Sequence, residues 1–212
     1  MPPPPTCAPT AAALPISAMS EQLTLTGPRV TLRPIERSDR DDLLRAAADG
    51  ELWSMRVTSV PSPKTVDDWI DRAIAGRDAG TMLPYVTIVG DAIVGSTRFW
   101  KLDRQNRTVE IGHTWIAQNW QRSFVNSEAK LLMLTYAFDG LGMNRVQFMT
   151  HAQNERSRVA ILRLGAVEEG LLRKERVMPD GHVRDSLVFS ITDDDWPTVR
   201  AKLEAALQRH RT

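Results

Sequence analysis

The chain has 212 residues, of which 42% are hydrophobic and 25% are charged, so it is neither a disordered chain nor a fibre and has about the length of one globular domain. Its 27 basic and 26 acidic side chains leave a net charge of +1, which argues against a dedicated nucleic-acid-binding protein. The single cysteine, Cys7, excludes an intramolecular disulfide and a cysteine-based zinc site. No apolar stretch reaches the ~20 residues of a membrane span, and we expect a cytoplasmic protein.

The first twenty residues carry no charge and are rich in proline and alanine. No cationic segment precedes an apolar run, so the pattern is not that of a secretory signal. Proline-rich sequence of this kind predicts an extended tail, here residues 1–22, in which Met19 is a candidate initiator. We therefore expect a folded domain over residues 23–195 and a C-terminal helix within residues 196–212.

The first half of the folded region contains strand and helix patterns in turn. Alternating polar and apolar residues over 29–34 predict a half-buried strand. Ser38 and Thr65 are candidate N-caps for two helices that end at Gly50 and near Gly80. Three strands are predicted next, at residues 85–89, 92–100 and 108–117.

The second half begins with a helical period and then returns to strands. Apolar residues three and four positions apart predict a helix around residues 129–137, and Asn154 is the expected cap of another helix, which stops at Gly165. Pro197 marks the start of a terminal amphipathic helix. The remaining strands are predicted at residues 145–150, 171–177 and 183–191, the last two flanking a turn at Pro179–Gly181.

The order of these elements indicates the fold class. A hairpin pairs its strands antiparallel, whereas the strand–helix–strand passage from residue 108 to residue 150 requires a parallel pair. We therefore expect a single α/β (α+β) domain with a mixed, mostly antiparallel central sheet and helices on both faces.

Three stretches follow one another in a specific order. Residues 109–115 read VEIGHTW, residues 120–130 read WQRSFVNSEAK, and residues 154–166 begin with NERS and end with RLGA. In this order and spacing the chain resembles the GNAT acyltransferases, specifically their RimJ/RimL-like branch, over about residues 23–195. The resemblance implies that the three stretches are the central strand, the CoA pyrophosphate loop and the pantetheine-side helix of an N-acetyltransferase.

The second stretch has the chemistry that a pyrophosphate site requires. A strand end, a short loop and a helix start bring backbone N–H groups and the positive end of a helix dipole together. Asn126 or Ser127 can cap this helix, and Arg122 can add a charge-assisted contact to the phosphate. The alternative is that Asn126 and Ser127 are ordinary caps and Arg122 is an ordinary surface residue. The resemblance implies acetyl-CoA as co-substrate, bound by Trp115, Ile116, Ala117, Gln121, Arg122, Ser123, Phe124, Val125, Asn126, Ser127 and Asn154.

The loop departs from the usual family pattern, Gln/Arg-x-x-Gly-x-Gly/Ala, because Phe124 and Asn126 occupy its glycine positions. Phenylalanine adopts positive φ only at a cost and its side chain hinders close approach to a phosphate, whereas asparagine tolerates the left-handed region better. The departure predicts a wider loop or a weaker affinity for CoA. It also leaves a second possible function, a non-catalytic acyl-CoA-binding or regulatory module.

Acetyl transfer from a thioester requires a neutral amine, a donor for the developing oxyanion and a proton for the leaving thiolate. The resemblance implies direct attack by the amine, so that no covalent nucleophile is needed. It also implies a backbone N–H near Trp115 or Ile116 as the oxyanion donor, and Ser157 as the acid. Ser157 would be equally at home as an ordinary residue in the first turn of a helix.

Three residues are candidates for the base. Glu110 and His113 are an odd number of positions apart, so alternation predicts that only one of them faces the acceptor. Glu110 is preferred, because a lone strand histidine is more often structural even though its ordinary pKa suits the task. His151 is the third candidate, and Trp53, between the first two predicted helices, is expected to form a wall of the acceptor site.

The expected acceptor is a protein N-terminus or a small amine. An aminoglycoside or a polyamine would require an acidic groove, and the carboxylates near the acceptor side do not indicate one. We expect a monomer or homodimer without a metal, a nucleic acid or a membrane as partner. Arginine accounts for 22 of the 27 basic residues, and we interpret most of this excess as compositional.

Overall fold

The computed structural model describes residues 22–54, 59–178 and 181–209. The predicted tail up to Glu21, which includes Cys7 and Met19, lies outside these residues, as does the Pro179–Asp180 part of the predicted turn. The described residues form one mixed sheet covered by helices.

Eight strands form a single sheet. They are β1 (Leu25–Thr26), β2 (Val30–Pro34), β3 (Met82–Val89), β4 (Ala92–Asp103), β5 (Thr108–Ile116), β6 (Arg145–His151), β7 (Val167–Val177) and β8 (Val183–Thr192). Their order across the sheet is β1-β2-β3-β4-β5-β6-β8-β7. All neighbours pair antiparallel except β5 and β6, which are parallel. The expected mixed, mostly antiparallel sheet is confirmed.

Helices cover both faces of this sheet. The described α-helices are α1 (Arg40–Ala48), α2 (Val66–Asp78), α3 (Phe124–Thr135), α4 (Glu155–Leu164) and α5 (Trp196–Arg209). On one face, α1 and α2 bury Leu43 and Trp69 in one core. On the other, α3 and α5 contribute Met133 and Leu203 to a second core, which α4 joins.

Helix ends follow local sequence in some places and not in others. Asn154 caps α4 as predicted, because its Oδ1 accepts a hydrogen bond at 3.1 Å from the backbone N–H three residues on, and Gly165 ends the helix with a φ of 104°. Ser38 is not a cap. A short 3-10 turn precedes α1 instead, and Glu36 begins it by donating its backbone N–H to the Asp39 carboxylate at 2.8 Å.

Some strands are longer than their sequence patterns predicted. The third strand begins at Met82 instead of residue 85 and runs through Pro84. β7 begins at Val167 instead of residue 171, although most of its side chains are exposed and mixed in polarity. β1 has only two residues, too few to show any period.

The parallel strands β5 and β6 separate after a short paired segment. Residues 108–110 pair with residues 145–147, and no further register pair joins the two strands, both of which the structure describes completely. Beyond this point a cleft opens between them. The sheet is therefore interrupted near its middle, between two well-paired antiparallel parts.

A β-bulge at the beginning of the separated part of β5 changes which face its side chains reach. The register with β4 passes from Arg98–Gly112 to Ser96–Trp115, so two residues of β5 oppose one of β4. His113 takes the extra position with a φ of 51°. Trp115 consequently packs into the core of α1 and α2, whereas simple alternation along β5 would direct it toward α3.

A buried carboxylate of α3 holds the beginning of the sheet. Glu128 is 2% exposed, and its Oε1 accepts hydrogen bonds from the backbone N–H groups of Arg29 at 2.7 Å and Val30 at 3.0 Å. Its Oε2 accepts a third from Arg29 Nε at 3.1 Å. Gly27 leaves the room for this contact, since a Cβ there would lie 2.8 Å from Oε1. Glu128 thus joins α3 to the β1–β2 turn.

Replacing Glu128 with alanine removes the acceptor of these three donors. We expect Glu128→Ala to lower the free energy of unfolding by about 2–5 kcal/mol, because buried donors lose their partner and a buried ion pair is broken. Urea denaturation measures the change. Glu204→Ala is the control, since Glu204 forms only a half-exposed pair with Arg200, and such pairs contribute about 0–1 kcal/mol. Equal losses in the two variants would contradict the prediction.

Candidate active site

A cavity of about 1300 Å³ occupies the cleft between β5 and β6. Residues 110–116 of β5 and residues 148–150 of β6 line it, together with the loop before α3 and much of α4. Side chains that belong to both faces of the sheet contribute to the lining. The cavity is therefore a direct result of the separation of the two strands.

Most of the predicted cofactor residues meet in this cavity. The ones that line it are Trp115, Ile116, Gln121, Arg122, Ser123, Asn126 and Asn154. The remaining four are not among the described lining residues. Ala117 and Val125 are buried in the two cores, and Phe124 and Ser127 are partly buried at the start of α3.

The helix that follows the loop begins earlier than predicted. Ser123 is its N-cap, because its Oγ accepts a hydrogen bond from the Val125 backbone N–H at 3.3 Å. The expectation that Asn126 or Ser127 is the cap is wrong, since both already lie within the first turn of α3. The local reason is that the β5–α3 connection passes through a 3-10 turn at Gln118–Trp120 and then leaves Ser123 extended at the helix entry.

The steric conflict expected at Phe124 does not arise. Arg122 is the residue of the loop that adopts the left-handed region, with a φ of 60°. Phe124 is already helical, and its ring packs under the guanidinium of Arg29, whose Cζ lies 3.9 Å from the ring centroid. The phenylalanine side chain is thus engaged elsewhere and does not line the cavity.

The backbone carbonyl groups of Trp115 and Ile116 point to opposite sides of β5. A Cβ on Gly95 would lie 2.3 Å from the Trp115 carbonyl oxygen, so this carbonyl points toward β4. Successive residues of a strand alternate in this direction, and the Ile116 carbonyl accordingly accepts a hydrogen bond from Gln121 Nε2 at 2.7 Å. Gln121 Oε1 accepts another from Arg156 Nη2 at 2.5 Å, which connects the end of β5 to α4.

The first turn of α4 forms another wall. Asn154 and Ser157 both line the cavity, and the cap bond joins them, from the Ser157 backbone N–H to Asn154 Oδ1 at 3.1 Å. The cap uses the amide oxygen of Asn154, so its amide nitrogen remains the group that can donate to a ligand. Capping and ligand binding by Asn154 are therefore compatible.

Glu110 and His113 both line the cavity, so the expectation that only one of them faces it is wrong. The bulge interrupts the alternation on which that expectation was based. Glu110 is 4% exposed, and its Oε2 accepts hydrogen bonds from Lys101 Nζ at 3.0 Å and Gln147 Nε2 at 3.2 Å. It is a buried, oriented carboxylate at the place where the strands begin to separate.

Burial lowers the pKa of His113 to about 4. Three nearby cations add to the effect: Arg98, Arg176 and Lys101. The ring meets Trp100 edge to face, with 4.8 Å between the centroids. At neutral pH this imidazole is uncharged and a weak base, so it lacks the advantage that an ordinary histidine pKa would confer.

The other two sequence candidates lie elsewhere. His151 stacks on His182 with 5.7 Å between the ring centroids, and its Nδ1 accepts a hydrogen bond from the Gln153 backbone N–H at 3.0 Å. Trp53 packs against the core of α1 and α2. Neither is among the described residues that line the cavity, whereas Ser59 is.

Lys130 is a cavity residue that the sequence patterns did not single out. It is 5% exposed, and its Nζ donates hydrogen bonds to Thr97 Oγ1 at 3.0 Å and to Thr114 Oγ1 at 2.8 Å. The two hydroxyls are themselves 2.8 Å apart. Because Thr97 belongs to β4 and Thr114 to β5, Lys130 ties the two strands to α3 at the bulge. Burial lowers the pKa of Lys130 to about 7.

The described residues contain no group of three His, Cys, Asp or Glu side chains placed to hold a metal ion. None of the helices in the described ranges is long and apolar enough to cross a membrane.

The low pKa of Lys130 predicts how stability depends on pH. An unfolded lysine has a pKa of about 10.4, so between pH 7 and that value the unfolded state binds more protons and the folded state becomes more stable as pH rises. We expect the free energy of unfolding of the wild type to rise, relative to that of Lys130→Met, from about pH 7 to about pH 9.5. Lys202→Met, at an exposed position of α5, should follow the wild type. A difference between wild type and Lys130→Met that stays constant with pH would contradict the prediction.

Comparison with known proteins places this architecture in a family. The family model of the acetyltransferase (GNAT) domain matches residues 29–167. The uncharacterized N-acetyltransferase p20 of Bacillus licheniformis is 28% identical over 178 residues, which are 82% of this chain and 98% of that protein. Among solved structures, a GCN5-related N-acetyltransferase from Brucella melitensis is 27% identical with a TM-score of 0.78, over 88% of this chain and 86% of that one.

A further solved structure shares this fold. RimJ of Mycobacterium smegmatis, in complex with CoA-disulfide, has the same fold, with a TM-score of 0.76 at 23% identity over 88% of this chain and 96% of that one. The likeness to this protein is one of fold. With a family match over most of its folded part and a cavity between its separated central strands, the chain belongs to the GNAT family and is an acetyltransferase.

Proposed function

We propose that the protein transfers an acetyl group from acetyl-CoA to a primary amine, which attacks directly in a ternary complex. The observation that carries this proposal is the cavity between β5 and β6, because it brings the start of α3, the start of α4 and the Glu110 carboxylate to one space. Glu110 and Ile116 are six positions apart, roughly 20 Å along β5, which leaves room for a donor and an acceptor end to end. Family membership supports acetyl-CoA as the donor, as does RimJ, a neighbour that binds CoA-disulfide.

The start of α3 is the proposed site of the CoA pyrophosphate. Its first turn, capped by Ser123, presents backbone N–H groups and the positive end of the helix dipole. Arg122 and Asn126 line the cavity there and add a cation and an amide. Asn154, on the opposite wall, would donate its amide N–H to the pantetheine arm.

The proposed reaction requires two proton movements. The amine nitrogen attacks the thioester carbonyl carbon, so that a C–N bond forms and the C–S bond breaks. Glu110 accepts the proton that the nitrogen loses, through a water molecule, and Ser157 delivers one to the CoA sulfur. The backbone N–H of Ile116 is the proposed oxyanion donor, because the backbone of Trp115 points toward β4.

Removing the acid should slow turnover without weakening cofactor binding. We expect Ser157→Ala to lower kcat by about 100-fold, the range of general acid catalysis, while the acetyl-CoA Kd measured by calorimetry stays the same. Thiol release over a panel of amines measures turnover. Ser38→Ala, at an exposed position next to α1, is the matched control and should retain full activity.

The outcomes separate the alternatives. Full turnover by Ser157→Ala would overturn its role as acid while leaving the transferase assignment intact. Acetyl-CoA binding by the wild type without thiol release on any amine would favour a non-catalytic acyl-CoA-binding module. No binding of acetyl-CoA would contradict both functions.

A further inference from the structure

One end of the cavity is rich in cations. We call this the acceptor end, and the residues that line it are Trp100, Glu110, His113, Arg176 and Arg184. It lies where the cleft begins, next to Glu110, and the bulge separates it from the start of α3. None of the sequence patterns assigned a functional role to the two arginines.

Arg176 and Arg184 are direct register partners across β7 and β8. Arg184 is 7% exposed and its Nε donates a hydrogen bond to Ser186 Oγ at 2.9 Å. That hydroxyl donates to Glu175 Oε2 at 3.0 Å, and Glu175 Oε1 lies 3.6 Å from Arg176 Nη2. A single carboxylate therefore serves both guanidinium groups.

The other carboxylate near this end is already paired. Glu110 accepts from Lys101 Nζ at 3.0 Å. On the same side of β4 lies a further cation, Arg98, which is 3% exposed and has its Cζ 4.1 Å from the centre of the Trp69 ring. Its Nε and Nη2 find no hydrogen-bond partner among the described residues. Four cations thus lie around two carboxylates near this end, and of these four Arg176 and Arg184 line the cavity.

The charges around this end of the cavity change the pKa of Arg184. Burial and then the charge of Arg176 lower the pKa of Arg184, whereas Glu175 and Glu110 raise it. The interaction with Glu110 means that Arg184 lies within electrostatic range of the proposed base. An amine placed for deprotonation by Glu110 would therefore have Arg184 close by.

This charge distribution selects among acceptors. A polyamine or an aminoglycoside would bring additional ammonium groups against two guanidinium groups that share one carboxylate, and these would repel it. A carboxylate or phosphate would instead be attracted, and arginine binds both through two parallel hydrogen bonds. The cost of burying such an anion would be offset by Arg184, which is 7% exposed, and by Arg176, whose side chain is 37% exposed.

We propose, on the basis of the function proposed above, that the acceptor is a primary amine with a carboxylate or phosphate a few atoms from its nitrogen. Arg176 and Arg184 bind this anion and place the amine beside Glu110. A free amino acid carries this chemistry, and so does a polypeptide N-terminus followed by an acidic residue. The two sources differ in whether the chain continues beyond the anion.

Matched acceptor pairs test the proposal in the wild-type protein. One pair is β-alanine and β-alaninamide; the other is an amidated tetrapeptide that begins with serine and aspartate and its counterpart with serine and asparagine. We expect kcat/KM for thiol release from acetyl-CoA to be about tenfold higher for the anionic member of at least one pair, since a charge-assisted hydrogen bond is gained. Spermidine should be the poorest acceptor. The pair with the larger ratio identifies the source.

Variants assign the preference to the arginines. Arg176→Gln and Arg184→Gln should each raise KM for the anionic acceptor about tenfold relative to KM for the neutral acceptor, and turnover of the neutral acceptor reports that the variant is folded. Arg173→Gln is the matched control, because Arg173 lies on the same strand, is exposed and does not line the cavity.

The results separate this inference from the function on which it rests. Equal use of anionic and neutral acceptors by the wild type would overturn the inference and leave the transferase function standing. A preference that survives in both glutamine variants would overturn the role of the two arginines. Thiol release with none of the amines would overturn the proposed function and this inference with it.

Discussion

The separation of β5 from β6 is the constraint on which the rest of the structure depends. Residues 108–110 hold the strands together, and beyond them the cavity takes the place of a ladder. The bulge at His113 lies at this boundary, and one extra residue acts on both faces of the sheet. It turns Thr114 toward Lys130 on α3 and Trp115 into the core of α1 and α2. This local change therefore positions both the side of the cavity that faces α3 and the acceptor end.

The parts of the fold that depend on neighbours in sequence could be predicted. Asn154 and Gly165 bound their helix because a cap and a left-handed glycine act over a single turn. The bulge could not be predicted, because VEIGHTW alternates like any strand and one inserted position leaves no trace in that pattern. The expectation that only one of Glu110 and His113 faces the cavity failed for this reason.

The site residues that the sequence missed depend on distant partners. Lys130 is buried by hydroxyls 33 and 16 positions away, on two different strands. Arg176 and Arg184 meet only because β7 and β8 pair in one register, and β7 by itself reads as an exposed, mixed strand. The predicted cofactor residues, in contrast, came from the resemblance to a family, and seven of them line the cavity. A local sequence pattern thus predicts which loop lines the cavity. The balance of charges within the cavity depends on which strands pair in the folded protein.

The divided sheet also has a mechanical side. It consists of two pieces, β1 to β5 and β6 with β8 and β7, joined along a parallel seam of three residue pairs. Such a seam has fewer paired residues to oppose bending than the antiparallel ladders on either side of it. An extended ligand lying against both strands would lengthen the seam and restrict rotation of one piece against the other. A bound substrate would therefore contribute to the rigidity of the sheet for as long as it stays bound.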